Sequence, residues 1–238
     1  MTTAVYQLDP ERIEFPPATH ALSHPNGLLA IGGDLSIPRL IQAYNNGIFP
    51  WYNPGEPILW WSPDPRAILE LDEFHLSRSL KKSLRTKGFT YSVNLAFSEV
   101  IAQCANIRAK HERTWITEDI YQSYNQLHAQ GIAHSVEVWQ NNILVGGLYG
   151  INVGKIFCGE SMFHTQTDAS KCAMAILVQI LREHDYQFID CQLQNDHLKS
   201  LGVKEIKREH FLSQLNCYKQ MSTDSACWQP RSIDYLME

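Results

Sequence analysis

From residue 134 to residue 163 the apolar positions fall two apart. HSVEVW (134–139), ILVGGLYGI (143–151) and KIFCGESMF (155–163) read as three strands, joined by QNN and NVG turns into an antiparallel meander. Elsewhere the spacing is helical. In SRSLKKSLRTKG (77–88), Leu76, Leu80 and Leu84 share one side while Arg78, Lys81, Lys82 and Arg85 share the other. Helices are expected over 96–107 and over 117–130, the second starting after Thr117 and stopping at Gly131. A strongly apolar helix over 169–184 follows Asp168 as its cap. The strand QFIDCQL (187–193), a short helix at 195–201 and an apolar-faced helix near 209–220 complete this part.

The first sixty-odd residues differ in character. They are rich in Pro, Gly and aromatic residues, and one helix stands out. Ser36 is a suitable N-cap, Pro38 lies in the first turn, and Gly47 closes the end. After Pro65 the strand RAILEL (66–71) begins, so a domain boundary is placed near 65, dividing 1–65 from 66–238. The expected fold class is α+β, with a small N-terminal α/β domain packed on a larger C-terminal one. The segment 47–66, GIFPWYNPGEPILWWSPDPR, holds three of the six tryptophans. Trp51, Trp60, Trp61 and Trp115 suit a core, but prolines pre-set the chain, so the segment also suits a rigid aromatic wall.

Composition narrows the function without naming it. The chain has 238 residues, 44% of them hydrophobic, and a net charge of −5. That is enough to bury a real core, and it argues against a protein that coats nucleic acid. The stretch from Phe74 to Tyr91 runs the other way, with five positive charges and no acid. Its basic face is either a solvated surface or a contact for a polyanion. The six cysteines form no CxxC pair and read as small buried hydrophobes, so no metal is expected. No signal peptide is evident, and the longest apolar run, AMAILVQIL, is too short to span a bilayer. A cytoplasmic protein is expected.

The candidate chemistry lies on two strands. Alternation along 187–193 puts Asp190 and Gln192 on one face, beside Phe188. An acid within an apolar strand either ties down a neighbouring loop or serves a site. Glu160 lies on a second, otherwise apolar strand, and two such acids suggest a cleft where the sheet opens. Three strands, helix, strand, helix is also the order of the acyl-CoA-dependent N-acetyltransferase (GNAT) fold. Those enzymes hold a pyrophosphate on a Gly-rich loop, whereas GESMFHTQTDASK has only Gly159. An acyl-CoA-dependent N-acetyltransferase is therefore the alternative reading.

The motifs NGLLAIGGDLS (26–36), GIFPWY (47–52), WWSPDPRA (60–67), TWIT (114–117), CGESMF (158–163), ASK (169–171) and IDCQ…N.H..SLG (189–202) together resemble the bacterial leucyl/phenylalanyl-tRNA–protein transferases. The resemblance implies an enzyme that moves Leu or Phe, less often Met, from charged tRNA to proteins with N-terminal Arg or Lys. It implies a product marked for N-end-rule degradation, a GNAT-like C-terminal domain, and a monomer with no cofactor. It also implies an aminoacyl pocket made by Trp51, Trp115, Phe157, Ser161 and Met162. Asp190, oriented with Gln192, would receive the acceptor amine. Glu160 would either hold that network or pair with the cationic acceptor. Arg78, Lys81, Lys82 and Arg85 would hold tRNA phosphates, and the Trp-and-Pro segment would lie over the acyl site as a lid. Arg113, Val203 and Lys207 depart from the family pattern, which usually has Gly, Ala and Pro there.

Overall fold

The computed structural model describes residues 4–111 and 114–233, with the backbone alone over 108–111. Arg113 lies outside the described residues. The N-terminal part forms a four-stranded sheet from β1 (Tyr6–Leu8), β2 (Leu28–Gly32), β3 (Phe49–Pro50) and β4 (Leu59–Trp61), in the order β1-β2-β4-β3, with α1 (Ile37–Asn45) between β2 and β3. Sequence periodicity did not reveal this sheet, because its strands are only two to five residues long. Ser36 holds the N-cap position of α1 without a side-chain bond to the helix; instead its N–H is held by Asp34 at 2.8 Å.

The rest builds one eight-stranded sheet. Its members are β5 (Arg66–Glu70), β6 (Thr90–Val93), β7 (Ala133–Gln140), β8 (Ile143–Val153), β9 (Ile156–His164), β10 (Phe188–Gln192), β11 (Lys204–Ile206) and β12 (Arg231–Ile233), in the order β11-β5-β10-β9-β8-β7-β6-β12. The expected meander is β7-β8-β9. The helices are α2 (Arg78–Thr86), α3 (Phe97–His111), α4 (Glu118–Ala129), α5 (Ala169–Glu183), α6 (Asp196–Ser200) and α7 (Arg208–Tyr218). Thr117 caps α4 by accepting the Ile120 N–H at 3.3 Å. Asp168 precedes α5 in a left-handed conformation, and its carboxylate turns away to Ser83 Oγ at 2.7 Å.

Alternation along the central strands feeds two cores. Tyr149, Ile151 and Phe163 pack on one face with α3, α4 and the N-terminal sheet; Val145, Leu148 and Phe157 pack on the other with α2 and α5. Among the described residues β9 and β10 form the one parallel pair of the eight-stranded sheet, through Phe188↔Ile156, Ile189↔Phe157 and Asp190↔Cys158. After those three pairs the strands part. Each carries a register shift just there, at Gly159–Ser161 in β9 and at Asp190–Gln192 in β10. A bulge ends pairing and bends its strand, so two neighbouring bulges open the sheet between them.

Among the departures from the family pattern, Val203 is buried without displacing its neighbours' bonds, and its carbonyl accepts Gln194 Nε2 at 2.9 Å. Lys207 is the N-cap of α7, and the following Arg208 donates to the Ser62 carbonyl at 2.6 Å.

The glycines of β8 set how closely α5 lies on the sheet. A Cβ on Gly146 would meet the Ala169 Cβ at 2.5 Å, whereas a Cβ on Gly159 would find its nearest neighbour at 3.6 Å. Gly146→Ala is therefore expected to lose about 1–3 kcal/mol by overpacking, and Gly159→Ala clearly less. Urea denaturation of the two variants measures the difference, and equal midpoints would contradict the close seating of α5.

Candidate functional site

The gap between β9 and β10 is the mouth of a cavity of about 730 Å³. Trp51, Trp115, Phe157, Glu160, Ser161, Met162 and Gln192 all line it, so the structure brings together seven of the eight residues expected at the aminoacyl and catalytic site. Met174 and Leu177 of α5, with Ile189, add an apolar wall that sequence reasoning did not name.

The aromatic side comes from the Trp-and-Pro segment. Trp51 is 43% exposed and leans on Trp61, with ring centroids 5.8 Å apart. The Trp61 Nε1–H donates to the Trp51 carbonyl at 2.7 Å, and the Tyr52 hydroxyl meets Thr117 Oγ1 at 3.2 Å. These bonds tie the segment to the TWIT loop and bring Trp51 and Trp115 to one cavity. Trp60 takes no part, being fully buried with its Nε1–H on the Gly32 carbonyl at 2.8 Å. The segment is thus part wall and part core. On the opposite side Phe157 is held by stacking on Trp228, with centroids 5.3 Å apart.

Asp190 is the eighth residue, and its place requires a correction. Its side chain is 1% exposed and does not line the cavity. Arg66 grips it in a fork, Nε to Oδ1 at 2.8 Å and Nη2 to Oδ2 at 2.7 Å. The guanidinium lies between the rings of Phe49 and Phe211, at 5.0 and 4.5 Å, and also donates to the Gly47 carbonyl at 3.1 Å. Burial alone would lower the Arg66 pKa, but the Asp190 carboxylate beside it outweighs that and raises it. The expectation that Asp190 and Gln192 share a face fails for a local reason. Gln192 sits in the bulge at φ 58°, which ends the alternation after Asp190. The link between them runs through the backbone, with the Gln192 N–H donating to Asp190 Oδ1 at 3.0 Å.

Glu160 is the carboxyl that does face the cavity. Tyr44 donates to its Oε1 at 2.7 Å, Tyr124 reaches Oε2 at 3.4 Å, and the two hydroxyls are 2.5 Å apart. Gln192 Nε2 donates to the same Oε1 at 3.4 Å. Burial and then the charge of Asp190 push Glu160 up to about 7, while the two tyrosines and Arg66 hold it from rising further. Burial and the nearby Glu160 charge raise both tyrosines well above the usual phenol range, so they act as neutral donors. Neither tyrosine stood out in the sequence, because each sits at an ordinary apolar position of its helix.

The basic residues of α2 lie apart from this cavity. Arg78, Lys81, Lys82 and Arg85 are all exposed, and none makes an ion pair among the described residues. Of the cysteines, Cys217 is exposed and the other five are buried, Cys191 among them in the cavity wall.

Asp190→Ala leaves the Arg66 cation buried without its counter-ion, which typically costs about 3–5 kcal/mol of stability. Urea midpoints are expected to show that loss, and adding Arg66→Met to it is expected to cost less than the sum of the two single changes. An unchanged midpoint for Asp190→Ala would contradict the pairing.

Sequence relatives identify the family. Residues 68–216 match the family model described as leucyl/phenylalanyl-tRNA protein transferase, and residues 33–64 match the model of that family's N-terminal domain. A protein of Tolumonas auensis named leucyl/phenylalanyl-tRNA–protein transferase is 54% identical over 98% of this chain and 99% of its own. Proteins of the same name from Shewanella denitrificans and Pseudoalteromonas translucida are 56% and 51% identical. They cover 92% and 100% of this chain, and 93% and 100% of their own lengths. The chain belongs to the leucyl/phenylalanyl-tRNA–protein transferase family.

Proposed function

We propose that this protein transfers Leu or Phe, and less often Met, from aminoacyl-tRNA to the α-amino group of proteins that begin with Arg or Lys. The product is marked for degradation by the N-end rule, and the enzyme works as a monomer in the cytoplasm, where charged tRNA is found. Residues 1–65 and 66–238 act as two domains, the second GNAT-like. The parting of a parallel strand pair after a meander and a crossover helix supports that likeness. No helix among the described residues is long and apolar enough to cross a membrane.

The observation that carries the reading is the cavity. Its lining is mainly apolar, it is walled by Trp51, Trp115, Phe157 and Met162, and Glu160 is the one carboxyl among its lining residues. Such a space accepts, by shape, a side chain that is unbranched at Cβ, as those of Leu, Met and Phe are. It rejects a β-branched one by only ~1–3 kcal/mol per misfitted group, so selection among amino acids is graded. The ester is already activated, which leaves the protein chiefly to hold the amine and the carbonyl together.

Glu160 takes the proton-accepting part that the resemblance gave to Asp190. The acceptor nitrogen attacks the ester carbon, and the N–C bond forms as the C–O bond to the ribose breaks. Ionised Glu160 accepts a proton from that nitrogen, and the leaving ribose oxygen takes a proton from Glu160 or through its neighbouring hydroxyl. Gln192 orients Glu160, and Asp190 fixes the backbone of Gln192, a positioning role. Arg78, Lys81, Lys82 and Arg85 hold tRNA phosphates on the exposed face of α2.

A transfer assay with phenylalanyl-tRNA and a peptide beginning with Arg tests the reaction, and product is expected. No product, together with a rise in Tm on adding acetyl-CoA, would favour the acetyltransferase instead. Glu160 must be ionised to act as a base, so the rate is expected to climb as pH rises through about 7. Glu160→Gln should lower the rate on the order of 10²-fold and leave only the acceptor amine's own titration at ~7.7–8.0. Tyr44→Phe removes a bond that holds Glu160 down, so the Glu160 limb should move to higher pH. A full rate in Glu160→Gln would remove it from the chemistry.

A further inference from the structure

Beside the cavity lies a group of basic side chains that the mechanism above does not use. His197, on α6, lines the cavity. Half-buried Lys171 is in the first turn of α5, three residues before Met174, which also lines the cavity; it is near enough to His197 to act on that ring by charge. His164 ends β9, and its Nδ1 meets the Ser170 hydroxyl at 3.2 Å. When that hydroxyl donates, the ring proton sits on Nε2 of this exposed histidine.

The three lie close together. Burial lowers the His197 pKa first, and then Lys171 and His164 lower it further by charge. An ammonium beside two imidazole rings, each able to donate an N–H, is a favourable arrangement for an anion. Two acids stand near. Asp168 is already engaged by Ser83 Oγ at 2.7 Å and Lys87 Nζ at 3.8 Å, and Asp196 is exposed at the start of α6. The first turn of α5 has no acid of its own.

The group also continues a path. Ser83 and Lys87, at the end of α2, bind Asp168 and the Thr167 carbonyl immediately before α5. The exposed cations of α2 thus lead to the start of α5, and from there Lys171 and His197 lead to the cavity.

We propose that Lys171, His164 and His197 form a seat for a phosphodiester next to the esterified nucleoside, the first backbone phosphate of the donor's 3′ end. The proposal rests on the donor reading given above. The seat supplies what the Gly-rich loop of an acyl-CoA enzyme would supply, but with one ammonium and two imidazole donors in place of a backbone cradle. One phosphate anchored there fixes the distance from the nucleic-acid backbone to the amino-acid cavity, and so which nucleotide can present its ester.

The test uses 3′-phenylalanylamido-3′-deoxyadenosine, with and without a 5′-phosphate, binding to the full-length protein at low salt. The phosphate is expected to tighten binding at least fivefold in the wild type. Lys171→Met should abolish that gain, Lys171→Arg should keep most of it, and the unphosphorylated nucleoside should bind all three proteins alike. His164→Ala should reduce the gain in part. No gain from the phosphate in the wild type, or an undiminished gain in Lys171→Met, would overturn the seat while leaving the donor reading intact. Failure of both nucleosides to bind would overturn the donor reading itself. Acetyl-CoA binding that depends on Lys171 would assign the seat to a coenzyme pyrophosphate and overturn the proposal in favour of that ligand.

Discussion

The Arg66–Asp190 ion pair is the joint on which the site is built. Arg66 is the first residue of β5, immediately after the N-terminal sheet ends, and its one guanidinium touches four separate parts of the chain. It meets Asp190 of β10, the carbonyl of Gly47 after α1, the ring of Phe49 in β3 and the ring of Phe211 in α7. Gly47 can lie there because it has φ 72° and no Cβ; a Cβ would meet Leu212 and Phe211 at 2.8 Å. Two buried charges gain little net free energy over a hydrophobic packing of the same volume. What the fork adds is direction. A planar guanidinium satisfied on both sides admits one arrangement of the strands around it. That arrangement sets where β10 stops pairing with β9.

The same joint separates the fates of two acids. Asp190 and Glu160 lie on neighbouring strands, each among apolar residues. Asp190 has a cation at hydrogen-bond distance, which on the proposed reading leaves it a positioning role. Glu160 has neutral partners, the hydroxyls of Tyr44 and Tyr124 and the amide of Gln192. With burial and the Asp190 charge pushing against its ionisation, its pKa comes to about 7. Groups whose surroundings push their titrations apart divide the roles of scaffold and proton carrier. The division follows from which acid Arg66 reaches.

Much of the larger domain was legible in residue spacing. The 134–163 alternation became β7-β8-β9, and the Leu76-Leu80-Leu84 stripe became the buried side of α2. The pocket residues came from the resemblance, and the structure places all of them on one cavity. The errors arose where a local signal was outvoted by something distant in sequence. Alternation along 187–193 put Asp190 and Gln192 on one face, but the bulge at Gln192 broke the period. Arg66 lies 124 residues from Asp190, so no local pattern could pair them. Tyr44 and Tyr124 are 80 residues apart and meet only because α1 and α4 cover the same face of the sheet. The four-stranded sheet escaped notice because strands this short carry too few positions for a period to show.

A chain of net charge −5 can nonetheless receive a polyanion, provided its cations are collected where the polymer lies. Here they are collected in the run between Phe74 and Tyr91, which holds no acid, and again at the start of α5. Between the two, Asp168 could have broken the path, but Ser83 and Lys87 occupy its carboxylate. At 0.15 M salt, exposed charges act over about 8 Å, so α2 can orient a nucleic acid but cannot by itself place an ester bond. Placement needs contacts that screening does not reach, such as the side chains beside the cavity and the apolar walls within. On the proposed reading the grip is therefore arranged in order of range, from the exposed α2 face, through the basic side chains beside the cavity, to the aromatic cavity that would hold the acyl group against Glu160.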